Sequence, residues 1–103
     1  MWWVTFDRST GGEIRKTRPA VVLSNNAANA ALNRVVVVPF TSQTSNVYPG
    51  EVLVTLSDTK SKAKADQIST VSKERLQTRV GSLSTSDVAA VEKAVLIHLG
   101  IRR

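Results

Sequence analysis

Apolar positions along this chain come in short runs separated by polar clusters, a pattern of strands rather than of long helices. Trp2 to Phe6, with Thr5 interposed, reads as a first strand. Asp7 to Gly12 is turn chemistry, and the loop continues to Arg18. Pro19 restricts Arg18 to an extended backbone, and Ala20 to Ser24 follows as a second strand. Alanine-rich Ala27 to Leu32 predicts a short helical turn. Val35 to Phe40 is almost continuously apolar, as expected of a central strand buried on both faces. Pro39 must then sit near its end, where no ladder N–H is needed.

Thr41 to Asn46 is a polar cluster directly after that strand, and Tyr48-Pro49-Gly50 reads as a turn. Glu51 to Leu56 alternates and predicts a strand. Ser57 to Lys64 carries three lysines and is expected to be an exposed connection. Further short strands are expected at Ala65 to Val71 and at Val80 to Leu83, with Ser72 capping a brief turn through Leu76. Ser84-Thr85-Ser86-Asp87 has capping-box spacing and opens the clearest helix. Val88, Val91, Val95 and Leu99 form its apolar stripe, and Gly100 is its natural stop. The expected fold is mainly β with a C-terminal helix: a small, mostly antiparallel barrel in one domain spanning residues 1–103.

Composition adds a bias toward polyanions. The formal charge is +6, from 14 Lys+Arg against 8 Asp+Glu. Such a balance favours nucleic acid or an acidic protein partner. There are no cysteines, which removes a disulfide framework, a thiolate zinc site and a cysteine nucleophile. No apolar run is long enough for a bilayer span, and Met1 to Val4 has no secretory-signal pattern. The expected setting is cytoplasmic, with no membrane contact.

The chemistry must come from few residue types. His98 is the single histidine, so a histidine acid–base pair is excluded. The acids are scattered singly, so neither a metal site nor another cofactor is expected. What remains is the basic stretch Glu13 to Arg18, a set of hydroxyls and a carboxamide cluster. Metal-free RNA cleavage needs little more. The 2′-hydroxyl of the RNA is the nucleophile, and the protein has to orient the phosphate, stabilise its charge and assist proton transfer. A guanidinium fork suits two phosphate oxygens.

Glu13-Ile14-Arg15-Lys16-Thr17-Arg18-Pro19-Ala20-Val21-Val22-Leu23-Ser24-Asn25 resembles the loop-to-strand segment of MazF/PemK-type toxins. In that segment a glutamate precedes an Arg-Pro pair and an apolar strand closed by asparagine. Val37-Val38-Pro39-Phe40-Thr41-Ser42 is similar to the family's strand ending in Pro and paired hydroxyl residues. Tyr48-Pro49-Gly50-Glu51-Val52 resembles its tyrosine–proline turn, and Ala65-Asp66-Gln67-Ile68 with Ser72-Lys73-Glu74-Arg75-Leu76 its later acidic-Gln and Arg-Leu block. The likeness covers nearly the whole chain, in order.

The resemblance implies an SH3-like antiparallel barrel of the CcdB/PemK type, acting as a homodimeric toxin of a type II toxin–antitoxin system. It implies metal-independent, sequence-specific cleavage of single-stranded RNA (mRNA) by 2′-hydroxyl attack, leaving a cyclic phosphate and a 5′-hydroxyl. Its partner would be a cognate antitoxin, through which alone it would reach operator DNA. The family's catalytic arginine falls on Arg18 and its catalytic threonine on Thr41, with Glu13 as possible support. Arg8, Arg15, Lys16, Ser42, Gln43 and Gln67 are the RNA-binding candidates. Arg8, Arg15, Lys16 and Lys64 otherwise read as solvated charge, and Gln67 either faces the RNA or braces the barrel. The chain departs from the family pattern at Thr5, Arg8 and Ser69, where Asp, Pro and a basic residue are frequent, so the recognised RNA sequence does not carry over. Two alternatives stay open: a non-enzymatic gyrase poison on the same fold, and a small barrel that binds nucleic acid without cutting it.

Overall fold

The structure is a computed structural model and describes residues 2–5, 17–48, 51–56 and 58–101. In chain order these form β1 (Trp2–Thr5), β2 (Thr17–Val22), α1 (Asn26–Ala31), β3 (Arg34–Thr41), β4 (Glu51–Leu56), β5 (Thr59–Lys64), β6 (Ser69–Ser72), β7 (Leu76–Arg79) and α2 (Thr85–Leu99). Single 3-10 turns occupy Ala65–Gln67 and Lys73–Arg75. The pairings are antiparallel and run β4-β5-β3-β2-β1-β7, with β6 also on β3. This is the expected mainly-β architecture with a C-terminal helix, and its strongly bent sheet is barrel-like without closing among the described residues.

β3 is the centre because its run of valines can bury both faces. Val38 and Phe40 point into one core cluster with Val21, Val54, Ala63, Val91 and Ala94; Val35 and Val37 point into a second with Val4, Ala20 and Val71. One edge of β3 pairs with β2. The other edge is shared: Arg34 to Val37 pair with β6, and Phe40 and Thr41 with β5. The 3-10 turn Ala65–Gln67 absorbs the change of register between those two partners.

Several sequence expectations are corrected. Ser57 to Lys64 is not an exposed connection; Thr59–Lys64 is a full strand paired along β4, with Ser61, Lys62 and Ala63 buried. Its lysines alternate with small residues, so one face carries charge while Ser61 and Ala63 reach the core. Ala65 to Val71 is not one strand, because Ala65–Gln67 turns before β6 begins at Ser69. Val80 to Leu83 is not a strand; the pairing segment lies earlier, at Leu76–Arg79, beside β1. On α2, Val91, Ala94 and Val95 are buried, whereas Leu99 is 54% exposed and leaves the stripe. Gly100 ends the helix with φ 72°, and the Ile101 amide donates back to the Leu96 carbonyl at 2.9 Å, a Schellman closure. No described helix is long and apolar enough to cross a membrane.

Candidate active site

Arg18 and Thr41 come from neighbouring strands. In the β2–β3 ladder Ala20 faces Pro39, Val21 faces Val38 and Val22 faces Val37. Continued two residues toward the strand ends, the same register sets Arg18 opposite Thr41. Residues opposite each other in an antiparallel pair project from the same face. On its other side Arg18 faces Val4 of β1, and Thr41 faces Lys62 of β5, which in turn faces Leu53 of β4. With the β2–β3 register so continued, Val4, Arg18, Thr41, Lys62 and Leu53 fall in one row across the sheet.

The chain makes this row for local reasons. Arg18 precedes Pro19, which favours an extended backbone, and its partner Val4 is fully buried. The Arg18 stem is thus anchored at the edge of a core while the residue stays half-exposed. Thr41 directly follows Phe40, which is 1% exposed. The Thr41 hydroxyl accepts a hydrogen bond from the Gln43 amide at 3.3 Å, which turns the chain out of β3. That bond uses a lone pair of the oxygen and leaves the hydroxyl proton free to donate. Among the described residues no carboxylate, Asp66 included, forms an ion pair with Arg18. The combination is a guanidinium without an ion-pair partner among the described residues and a hydroxyl donor: a place for a phosphate with developing negative charge.

The remaining candidates fall out as follows. Ser42 and Gln43 are exposed on the segment leaving Thr41. Gln67 is exposed on the Ala65–Gln67 turn, alongside β3 between the Phe40–Ala63 and Val37–Ser69 pairings. It is not in a strand, but it borders the same edge of β3 that ends at Thr41. Arg8, Glu13, Arg15 and Lys16 lie outside the described residues. Trp2 packs on the second core cluster and Trp3 is 41% exposed. Among the described residues no three His, Asp or Glu side chains cluster as metal ligands.

Sequence reasoning missed Glu51 and Lys62. Lys62 is 6% exposed, and its ammonium lies 3.1 Å from Glu51 Oε1 and 2.7 Å from the Asn46 carbonyl oxygen. It also sits 5.9 Å from the centre of the Tyr48 ring. Lys64 reaches the other Glu51 oxygen at 3.6 Å, so it is not simply solvated charge. The Tyr48 amide donates to Glu51 Oε1 at 2.9 Å. That amide hydrogen bond, followed by the Lys62 and Lys64 ammonium groups, holds the Glu51 carboxyl below its ordinary value, against burial, which pushes it up. The signal for Lys62 was its alternation with Lys60 and Lys64, a period-2 pattern that places it on a strand.

A cavity of about 440 Å³ lined by Trp2, Val22, Asn29, Val35, Lys73 and Leu76 lies toward the other end of β2 and contains none of these residues.

Comparison with known proteins bears directly on this arrangement. Residues 1–99 match the family described as PemK-like, MazF-like toxins of type II toxin–antitoxin systems. The chain belongs to this family. It is 37% identical to endoribonuclease MazF9 of Mycobacterium tuberculosis, over 98% of this chain and 93% of that protein. The fold superposes on a crystal structure of MazF from Deinococcus radiodurans with a TM-score of 0.82 at 25% identity, covering 97% of this chain and 92% of the other. It is also similar to a mycobacterial endoribonuclease solved in complex with its cognate antitoxin, with a TM-score of 0.79 at 26% identity over 99% and 94% of the two chains. The family expectation raised by the Arg18-Pro19 and Thr41 segments is thereby met, as is the fold expected of it.

Proposed function

We propose that this family member is the endoribonuclease toxin of a type II toxin–antitoxin system, cutting single-stranded RNA at a short recognised sequence, with Arg18 and Thr41 at the scissile phosphate. Membership of the MazF-like family and the endoribonuclease relatives support the activity class. What supports the residue assignment is the β2–β3 register, which, continued two residues past the Ala20–Pro39 pair, brings Arg18 opposite Thr41. The gyrase-poison and binding-only alternatives have no comparable support.

The chemistry requires no metal in this reading. The 2′-oxygen attacks phosphorus as the bond from phosphorus to the 5′-oxygen breaks, which leaves a 2′,3′-cyclic phosphate and a 5′-hydroxyl. The 2′-proton departs to a base and the leaving 5′-oxygen gains a proton. Charge grows on the non-bridging oxygens in between. Arg18 meets it with a two-pronged cation and Thr41 with its free hydroxyl proton. Glu13, outside the described residues, is the candidate for catalytic support. Ser42, Gln43 and Gln67 border the Thr41 end of β3 and are suited to hold the flanking nucleotides; Arg8, Arg15 and Lys16 would add phosphate contacts. The reading includes a homodimer, neutralised by a cognate antitoxin, through which operator DNA is reached, and working in the cytoplasm.

The test is incubation of a long RNA with the protein in EDTA. Discrete cuts with cyclic-phosphate ends, lost in a folded Arg18→Ala variant, are the expected result. Absence of cutting on any RNA, with gyrase inhibited instead, overturns the reading.

A further inference from the structure

Thr41 is followed by a segment without regular structure, residues 42–48, that carries Ser42 and Gln43. Among the described residues three side chains tie this segment down. Thr41 takes the Gln43 amide at its start, Lys62 donates to the Asn46 carbonyl in its middle, and Glu51 takes the Tyr48 amide at its end. Lys62 is the strand partner of Thr41, so the middle tie starts from the residue directly beside the candidate catalytic hydroxyl.

Burying an ammonium is costly unless it is paired. A lysine used only to fill space at this position could be replaced by an apolar residue, as its core-facing neighbour Ala63 illustrates. Lys62 instead spends its donors on one carboxylate and one main-chain carbonyl, and Lys64 holds the second oxygen of that same carboxylate. The charge pair is thus aimed at a loop and not at the barrel core.

Resting on the nuclease reading above, we propose that Lys62, braced by Glu51, is a positioning residue that fixes residues 42–48 beside Thr41 and so sets how tightly and at which sequence RNA is held. Lys62 does not touch the reacting phosphate. Its effect reaches the substrate through the loop: without the ammonium, the Asn46 carbonyl loses its anchor and the polar groups of Ser42 and Gln43 are presented in many arrangements instead of one.

The experiment compares wild type with Lys62→Met, Lys62→Arg and the double variant Lys62→Met/Glu51→Met. In Lys62→Met the Glu51 carboxylate keeps Lys64 and the Tyr48 amide; the double variant removes the Lys62–Glu51 pair whole, leaving only the partly exposed Lys64 without its partner, and urea unfolding of each variant confirms that it is folded. Single-turnover cleavage of a short RNA bearing the wild-type cut sequence gives the rate at saturation and the half-saturating concentration. Loss of one charge-assisted hydrogen bond predicts a half-saturating concentration raised about tenfold in Lys62→Met and in the double variant. The saturated rate should change far less. Cuts on a long RNA should spread beyond the wild-type sequence, Lys62→Arg should recover much of the defect, and the amides of 46 and 48 should exchange faster while those of 37 and 38 do not. Wild-type half-saturation and cut pattern in both Met variants overturn the proposal, as does an equal fall in rate for all sequences. Failure of wild type itself to cut RNA overturns the nuclease reading instead. In that case amide exchange still decides whether Lys62 holds the loop.

Discussion

The Gln43 main-chain amide donates to the Thr41 hydroxyl at 3.3 Å, closing a tight turn where β3 ends. The hydroxyl therefore has a structural acceptor role and a free proton, and substitutions test whether it is needed for cleavage. Thr41→Ser keeps both and should cleave RNA within a few-fold of wild type. Thr41→Val keeps the shape and removes both the acceptor of the Gln43 amide and the donor; loss of one preorganised donor costs about 100- to 1,000-fold in rate. Single-turnover rates at saturating RNA check this. A Thr41→Val enzyme with wild-type rates would reduce Thr41 to a turn former.

Arg18 stands between Val4 and, by register, Thr41, with its backbone held by Pro19. Its proposed value lies in the two-pronged geometry of the guanidinium, which a lysine ammonium does not reproduce. Arg18→Lys should therefore lose most of what Arg18→Ala loses, at least about 100-fold in cleavage rate. Thermal unfolding should move little in either variant, because the residue is half-exposed and pairs with no carboxylate among the described residues. Near-wild-type cleavage by Arg18→Lys would show that only a positive charge is needed.

Glu51 carries a prediction for pH. Its carboxyl is held below the ordinary value of 4.5 by the Tyr48 amide and then by Lys62 and Lys64. The unfolded chain thus takes up this proton before the folded one does as pH falls. The stabilisation from the ionised carboxylate is fully present above the unfolded value and is lost as pH drops through the folded one. Urea unfolding of wild type and Glu51→Gln should differ by a constant amount near neutral pH. The gap should close progressively below about pH 4.5, the ordinary carboxyl value. A gap that stays constant into acid would place the carboxylate outside the network.

The parts of this fold that were legible in the sequence are those where one local rule acts alone. β3 announced itself through Val35 to Phe40, and α2 through Ser84 and Gly100, because buried runs and caps are written in adjacent residues. Arg18 and Thr41 were identified from family-like segments, but their mutual placement depends on strand register, which no single segment encodes. β5 was misread because three lysines suggest solvent. The burial of Lys62 is a tertiary fact: Glu51, shared with Lys64, and the 42–48 segment supply partners that lie far from it in sequence. The turn at Ala65–Gln67 was read as strand for a similar reason, since it exists to switch β3 from one partner strand to another.

The start of α2 shows how a familiar sequence spacing can serve another purpose. Ser84 accepts from the Asp87 amide at 3.1 Å, as an N-cap should. The Asp87 carboxylate does not complete a reciprocal box with the Ser84 amide; it accepts from the Thr55 amide at 3.0 Å. Thr55 lies on β4, which ends the sheet path, so Asp87 satisfies a donor on an open strand edge. Its charge at the first turn also favours the helix. Ser84→Ala and Asp87→Ala are each expected to cost about 1 kcal/mol in unfolding free energy. In a reciprocal box the two losses would be strongly coupled. Here Asp87→Ala leaves the Ser84 hydrogen bond intact, because that bond uses the main-chain amide. The double variant should therefore lose the sum of the two within about 0.5 kcal/mol, which a double-mutant cycle by urea unfolding measures directly. Coupling well above that would mean that Asp87 caps α2 instead of clamping it to β4.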